Sequence, residues 1–343
     1  MRPFADISYD AQVKRLKRLA QVALLHYDLG EVQLVRLGHG ENTTFRVEVA
    51  LSVHQSDKSL SSKTQWYVLR IHRPGNHSLA SIRSELLWLS TLRRDTDLFV
   101  PQPVPSKDGS PLTVVETEGV PQLRCCVLFR WIPGRFLNAG LTPLALGRVG
   151  TLMARLHQHV QQFTLPEGFV RPRLDGESQF SRCALQLPDA VQALFSTPEL
   201  EILDVAAQQV RAVMLALGHG TEVFGLIHAD LHHWNYLFHK GEVRVIDFDD
   251  CGFGYYLYDM ATTLWPLRNR PDFPALRQAF LKGYRLYHPL SKEHELYLDT
   301  FFAARRLFLA RGIVERLDNP KLREKAPSYL ADSVRELKNF LVR

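Results

Sequence analysis

Residues 226–259 read LIHADLHHWNYLFHKGEVRVIDFDDCGFGYYLYD, and the spacing within this stretch decides how the rest of the chain is understood. His228-Ala229-Asp230 is followed by Asn235, then by a short apolar run, a turn at Lys240-Gly241, and a second run ending in Asp247-Phe248-Asp249-Asp250. Phe238 and Val243 flank the Lys-Gly turn, which predicts a hairpin returning residue 247 to the side of residue 235. Such a hairpin gathers two carboxylates and an amide in one cleft. Phosphoryl transfer from a nucleotide needs few protein groups: a carboxylate to orient and deprotonate the attacking hydroxyl, and hard oxygen ligands for magnesium. Asp230, Asn235 and Asp247 match that list. A competing reading gathers His228, His232, His233, Asp230, Asp247 and Asp249 around a transition metal, but it leaves Asn235 and the hairpin spacing without a purpose. Asp249 fits either a second metal or water contact or a solvated carboxylate.

H-x-D-x-x-x-x-N with an Asp twelve residues later resembles the catalytic and metal loops of the aminoglycoside phosphotransferase and choline kinase family, a relative of the protein kinases. The resemblance implies that Asp230 is the catalytic base and that Asn235 and Asp247 bind magnesium. Tyr258-Asp259-Met260-Ala261 also resembles the family's Y-D-x-A segment, whose Asp braces the catalytic loop through its backbone. That resemblance gives Asp259 a structural role.

With 343 residues, the chain is long enough for about two domains. Hydrophobic content of 45% and charged content of 23% are those of an ordinary soluble globular protein. No stretch reaches the roughly 18–20 apolar residues of a membrane helix, and MRPFADISYDAQ has no apolar signal core. Adjacent Cys125 and Cys126 make poor disulfide geometry on a strand. The expectation is a reducing cytoplasm and no membrane partner. Net charge is +6 with bases scattered among acids, which argues against nucleic acid and suits a mildly basic surface for anionic nucleotides.

In the N-terminal half, residues 10–25 carry apolar side chains at helical spacing. Residues 33–37 and 45–49 read as a hairpin around Gly38-His39-Gly40-Glu41-Asn42-Thr43-Thr44. Gly40, Asn42 and Thr43 are its candidate phosphate contacts, and E-N-T-T-F-R-V resembles the family's nucleotide loop. Residues 51–65 are polar and read as an exposed connection, and residues 66–73 alternate as a strand. V-L-R-I-H-R-P puts Arg70 where a kinase carries its phosphate-pairing lysine, and Glu85 on a helix over 78–92 is the expected partner. The alternative for Glu85 is a surface charge beside Arg93. Residues 100–105 begin a fourth strand region and 123–131 supply a fifth, predicting a mainly antiparallel five-stranded sheet with one helix. The resemblance makes Phe129-Arg130-Trp131 the hinge that meets adenine; Trp131 as interdomain filling reads the same way from sequence.

Beyond Gly134, Thr142-Pro143 signals the start of a long helix, and residues 199–217 predict another. Residues 164–198 read either as a wall of the acceptor pocket or as a plain surface loop. Further helices are expected over 258–264, 273–287 and 293–317. The last interleaves Arg305, Arg306, Arg311 and Arg316 with apolar residues, which suits an anionic acceptor or, equally simply, a salt-bridged solvent face. These readings converge on an α+β, two-lobed protein-kinase-like fold, with an antiparallel nucleotide-binding lobe over 1–134 and a mainly helical catalytic and acceptor-binding lobe over 135–343. The expected activity is ATP- and magnesium-dependent transfer of the γ-phosphate to a hydroxyl of a small molecule. Two alternatives stand beside it: a protein serine or threonine acceptor, as in the stress-response kinase branch, and a nucleotide-binding regulator without transfer, which Arg70 in place of lysine would permit.

Overall fold

A computed structural model describes residues 3–50, 64–137, 140–176, 195–317 and 319–342. The expected connection over 51–65 lies outside these up to residue 63, as do residues 177–194 of the segment 164–198. The chain forms two compact units: Met1–Gly134 with Pro166–Val170 and Arg244–Asp249, and Arg135–Leu165 with Arg171–Val243 and Asp250–Arg343.

The first unit holds a five-stranded sheet in the order β1-β2-β3-β5-β4, antiparallel throughout. Its strands are β1 (Val32–His39), β2 (Thr43–Ala50), β3 (Thr64–Ile71), β4 (Thr113–Thr117) and β5 (Val120–Arg130). Phe45, Val47 and Val49 alternate on β2 toward one core and meet Leu16, Leu19 and Ala23 of helix α1 (Tyr9–Leu24) within that core. Helix α2 (Leu79–Asp95) starts where the Ser78 hydroxyl accepts from the Ser81 amide, and it buries Ile82, Leu86, Trp88 and Leu89. The fourth strand is not at residues 100–105. Pro101, Pro103 and Pro105 have no N–H for a ladder, so that segment runs beside β5 through only two backbone bonds, Val104 to Leu128 and Arg130 to Gln102, and a single bridge at Pro103.

Helices dominate the second unit. Helix α3 (Pro143–Gln162) is capped by Thr142, and α4 (Thr197–Leu217) opens on a capping box of Ser196 and Glu199. α5 (Tyr256–Leu264) is buried along its whole length, and α6 (Phe273–Tyr284) packs against α3 at backbone distance. A Cβ at Gly150 would fall 2.1 Å from the Phe280 carbonyl, and one at Gly283 2.0 Å from that of Gly147, so glycine is obligatory where α3 and α6 cross. The helix expected over 293–317 is broken at Tyr297 into α7 (Lys292–Leu296) and α8 (Leu298–Val314). A further helix, α9 (Pro320–Leu341), buries Ala326, Leu330, Val334 and Leu337. β6 (Arg173–Leu174), β10 (Gly252–Tyr255) and β7 (Phe224–Ile227) form a small sheet in that order.

β8 (Tyr236–His239) and β9 (Glu242–Val245) form the expected hairpin. Its turn has Lys240 at φ 49° and Gly241 at φ 85°, two consecutive left-handed residues of the kind a tight hairpin uses. Among the described residues, no helix is long and apolar enough to cross a membrane.

Candidate active site

Asp230 sits just past the end of β7, in a loop whose backbone is held from beneath. Ala229 has φ 67°, a left-handed conformation costly for a residue with a Cβ, and the loop is over-determined around it. Asp259 on α5 accepts from the His228 amide at 3.1 Å and the Ala229 amide at 2.9 Å. That carboxylate is wholly buried, and His157 of α3 bridges it (3.0 Å) to the Tyr284 hydroxyl (2.8 Å). Thr262 and Thr263 donate to the carbonyls of Ala229 and Leu231. Every bond in this set orders the loop, and none consumes the Asp230 carboxylate.

Two side chains fix that carboxylate. Arg305 of α8 donates to Oδ1 at 2.6 Å, and the Asn235 amide donates to Oδ2 at 3.1 Å and to the Asp230 carbonyl at 2.9 Å. His232 lies 3.5 Å from Oδ2. Burial alone would lower the Arg305 basicity, but Tyr258 and Asp230 outweigh it and hold the guanidinium above its ordinary range. Asp230 therefore faces a permanent cation on one oxygen. The bonds of the Asn235 side chain run through its nitrogen, which leaves the amide oxygen as a hard donor of the kind magnesium selects.

Within the first unit, a second cluster surrounds Arg70. Its guanidinium donates to Glu85 at 2.6 Å, both side chains being nearly or wholly buried, and lies 3.6 Å from Asp247 and 3.8 Å from Asp249. Burial opposes the charge, yet Glu85, Asp249 and Asp247 together raise the Arg70 basicity above its usual range. Phe248 anchors the carboxylates between which it lies by packing edge-on against Trp88 at 5.3 Å. Asp247 has φ 63° and a half-exposed side chain. Asp249 is buried and is not a solvated carboxylate: Asn42 donates to it at 2.6 Å, and His72 and His77 stand at 3.4 and 3.5 Å. Burial would raise its pKa, but Arg70, His77 and His72 hold it well below the usual carboxylate range.

The loop between β1 and β2 is bonded within its own unit. Asn42 spends its amide nitrogen on Asp249 and accepts from the Arg73 amide; the Thr43 hydroxyl meets His39 at 2.6 Å, and the Gly40 amide donates to the Asn42 carbonyl. Gly40, Asn42 and Thr43 thus bond inside their own unit and shape a turn. The same holds at residues 130 and 131: the Arg130 amide donates to Gln102, and the Trp131 amide donates to Trp66, whose ring it meets edge-on at 5.7 Å. Trp131 stays half-buried and Arg130 exposed.

Sequence reasoning missed the Arg305 pairing. Its signal was a pair of arginines set among Phe301, Leu307 and Leu309, because a guanidinium on an apolar stripe needs a buried anion. Of the four arginines singled out there, Arg305 and Arg306 are buried, whereas Arg311 pairs with Glu315 near the surface and Arg316 donates to the Gly312 carbonyl.

Residues 37–295 match the model of the phosphotransferase enzyme family. An uncharacterised protein of Deinococcus radiodurans is 30% identical over 288 residues, spanning 82% of this chain and 77% of its own length. Among solved structures, a microcompartment-associated aminopropanol kinase superposes with a TM-score of 0.78 at 30% identity, over 95% of this chain and 98% of its own. An amicoumacin kinase in complex with AMP-PNP, Ca²⁺ and its amicoumacin ligand superposes with a TM-score of 0.77 at 21% identity, over 97% of this chain and 96% of its own.

Proposed function

The chain belongs to the phosphotransferase enzyme family and is an ATP-dependent, kinase-like phosphotransferase for a small-molecule acceptor; on that premise we propose that Asp230 is its catalytic base. Support comes from one observation above all: both oxygens of the Asp230 carboxylate are held, one by Arg305 and one by Asn235. A carboxylate fixed in this way is oriented before the acceptor arrives, which is where much of the rate of a positioned general base originates. The acceptor hydroxyl loses its proton to Asp230 as its oxygen bonds the γ-phosphorus and the bond to the β-phosphate oxygen breaks, releasing ADP. A protein that only bound nucleotide would gain nothing from a base so prepared.

Arg70, pinned by Glu85, is assigned to the nucleotide phosphates. Arginine reaches less adjustably than lysine but offers two parallel donors, so the substitution suits a fixed phosphate position. In this reading, Asn235 through its amide oxygen and Asp247 through its carboxylate hold magnesium, which when bound neutralises charge on the phosphates. The donor chemistry fits, since both are hard oxygen ligands and Asp247 is half-exposed. Residues 1–134 then serve as the nucleotide-binding lobe and 135–343 as the catalytic and acceptor lobe, with Arg130 and Trp131 assigned to the adenine of the nucleotide. Cys125, Cys126 and Cys251 are free thiols, consistent with a cytoplasmic setting.

The acceptor class in this reading is a small hydroxyl compound, as the names of the aminopropanol and amicoumacin kinases attach to small molecules. ADP release from magnesium-ATP across amino alcohols, sugars, aminoglycosides and a generic protein substrate tests it, with Asp230→Asn as control. Stimulation by a small alcohol that vanishes in the control is the expected result. Stimulation that survives in Asp230→Asn removes the base from Asp230.

A further inference from the structure

Within the second unit, α6, α8, α9 and Trp265 border a cavity of about 500 Å³, inside the range of about 300–1,000 Å³ typical of small-ligand sites. Its walls are aromatic and basic at once. Asp299, Phe302, Ala303 and Arg306 of α8 recur at three and four residues and present one stripe to it, while Arg305 points about 100° around the helix, to Asp230. The cavity is therefore a different face of α8 from the one that grips the catalytic loop.

The charges around it do not balance. Arg268, Arg277, Arg306 and Arg335 line it with Asp299 and Glu336, and Asp332 pairs with Arg335 at 2.6 Å, which leaves an excess of one positive charge (four minus three). Glu336 is shared: Arg268 bonds one of its oxygens, and Arg306 lies 3.7 Å from the other. Arg306 is only 4% exposed; its Nη2 donates to the Tyr329 carbonyl at 3.0 Å, and its Nε is buried without a hydrogen bond. Trp265 stacks under Arg268 at 3.8 Å and lies 5.3 Å from Arg306, so the ring disperses charge without neutralising it. Arg277 is loosely placed, 4.0 Å from Glu295 and 3.9 Å from Asp299.

Comparison with Arg70 and Arg305, the buried arginines of the two clusters described above, sharpens the point. Arg70 and Arg305 sit against enough negative charge to be held above their ordinary basicity. Arg306 is held below it: burial dominates, Tyr329, Glu336 and Asp332 compensate in part, and Arg268 opposes them. A buried cation short of counter-charge, beside an open cavity lined by further arginines, favours an anion there.

We propose that this cavity is a second small-molecule site, separate from Asp230, that binds a compound carrying a carboxylate or phosphate on an apolar or aromatic body. The anionic group meets Arg306 and Arg277, and the body lies against Trp265, Phe302 and Phe340. Charge decides the affinity, and the aromatic walls decide the shape.

Calorimetry on the full chain tests this with phenyllactate and phenyl phosphate as probes and phenylpropanediol as their uncharged counterpart. Both anions are expected to bind at least tenfold more tightly than the diol. Arg277→Gln, at a partly exposed position outside the catalytic machinery, should weaken the anions about fivefold or more and leave the diol unchanged. Arg306→Gln should do so more strongly, with circular dichroism showing whether it folds. Asp230→Asn should leave anion affinity within twofold. Equal binding of diol and anions, no binding of either anion, or no effect of Arg277→Gln overturns the site. Loss of anion binding in Asp230→Asn overturns its separateness.

Discussion

Arg70 and Arg305 are both buried arginines that meet aspartates, and they do so in opposite ways. Arg70 commits its closest bond to Glu85, a residue without exposure, and keeps Asp247 and Asp249 at 3.6 and 3.8 Å. Arg305 makes its closest bond, at 2.6 Å, directly to Asp230. In the first cluster a structural glutamate absorbs the guanidinium, leaving a half-exposed aspartate available for a cation. In the second the guanidinium itself orients the aspartate on one oxygen, while Asn235 steadies the other. The contrast separates a cluster suited to holding phosphates and magnesium from one suited to moving a proton.

Substitutions at the two clusters should fail differently. Asp230→Asn should lower kcat by about a thousandfold, within the range of a positioned general base, while KM for ATP stays within twofold; steady-state kinetics at saturating acceptor reads this. Arg305→Met should lower kcat about a hundredfold with little change in KM for ATP, and Arg305→Lys should recover part of it, because lysine restores the charge without the fork. An effect on KM alone would assign Arg305 to binding. Glu85→Gln should act mainly on the nucleotide, raising KM for ATP about tenfold. It should also destabilise the fold by about 3 kcal/mol in denaturant titration, because it removes the anion from a buried ion pair.

The smallest effect concerns acid. Asp249 is held below its unfolded pKa, so its stabilisation is fully present above about pH 4 and is lost as pH falls below that toward its folded value. Thermal unfolding of the native chain and Asp249→Asn should differ by a constant amount from pH 7 to pH 5, and the difference should shrink below pH 4. A difference that grew under acid would reverse the sign assigned to Arg70.

How much of this was legible in the sequence depends on distance along the chain. The β8–β9 hairpin was readable because the Lys240-Gly241 turn lies between two short apolar runs and announces itself. Ser78 and Thr142 likewise mark helix starts by a local hydrogen bond. Asn42 meets Asp249 across 207 residues and Arg305 meets Asp230 across 75, and no local pattern encodes such pairings. The fourth strand was displaced because a run of apolar residues and prolines looks extended whether or not it pairs. Helix α9 escaped because Pro327 interrupts a strongly charged segment, although Ala326, Leu330 and Val334 keep their spacing of four.

The most direct test of the division of labour is equilibrium binding of a non-hydrolysable ATP analogue, with and without magnesium, to Asp230→Asn and Asp247→Ala. The account predicts that Asp230→Asn binds as the native chain does, including its magnesium dependence, and that Asp247→Ala loses the magnesium-dependent part. Magnesium-dependent binding that survives in Asp247→Ala and is lost in Asp230→Asn would contradict it.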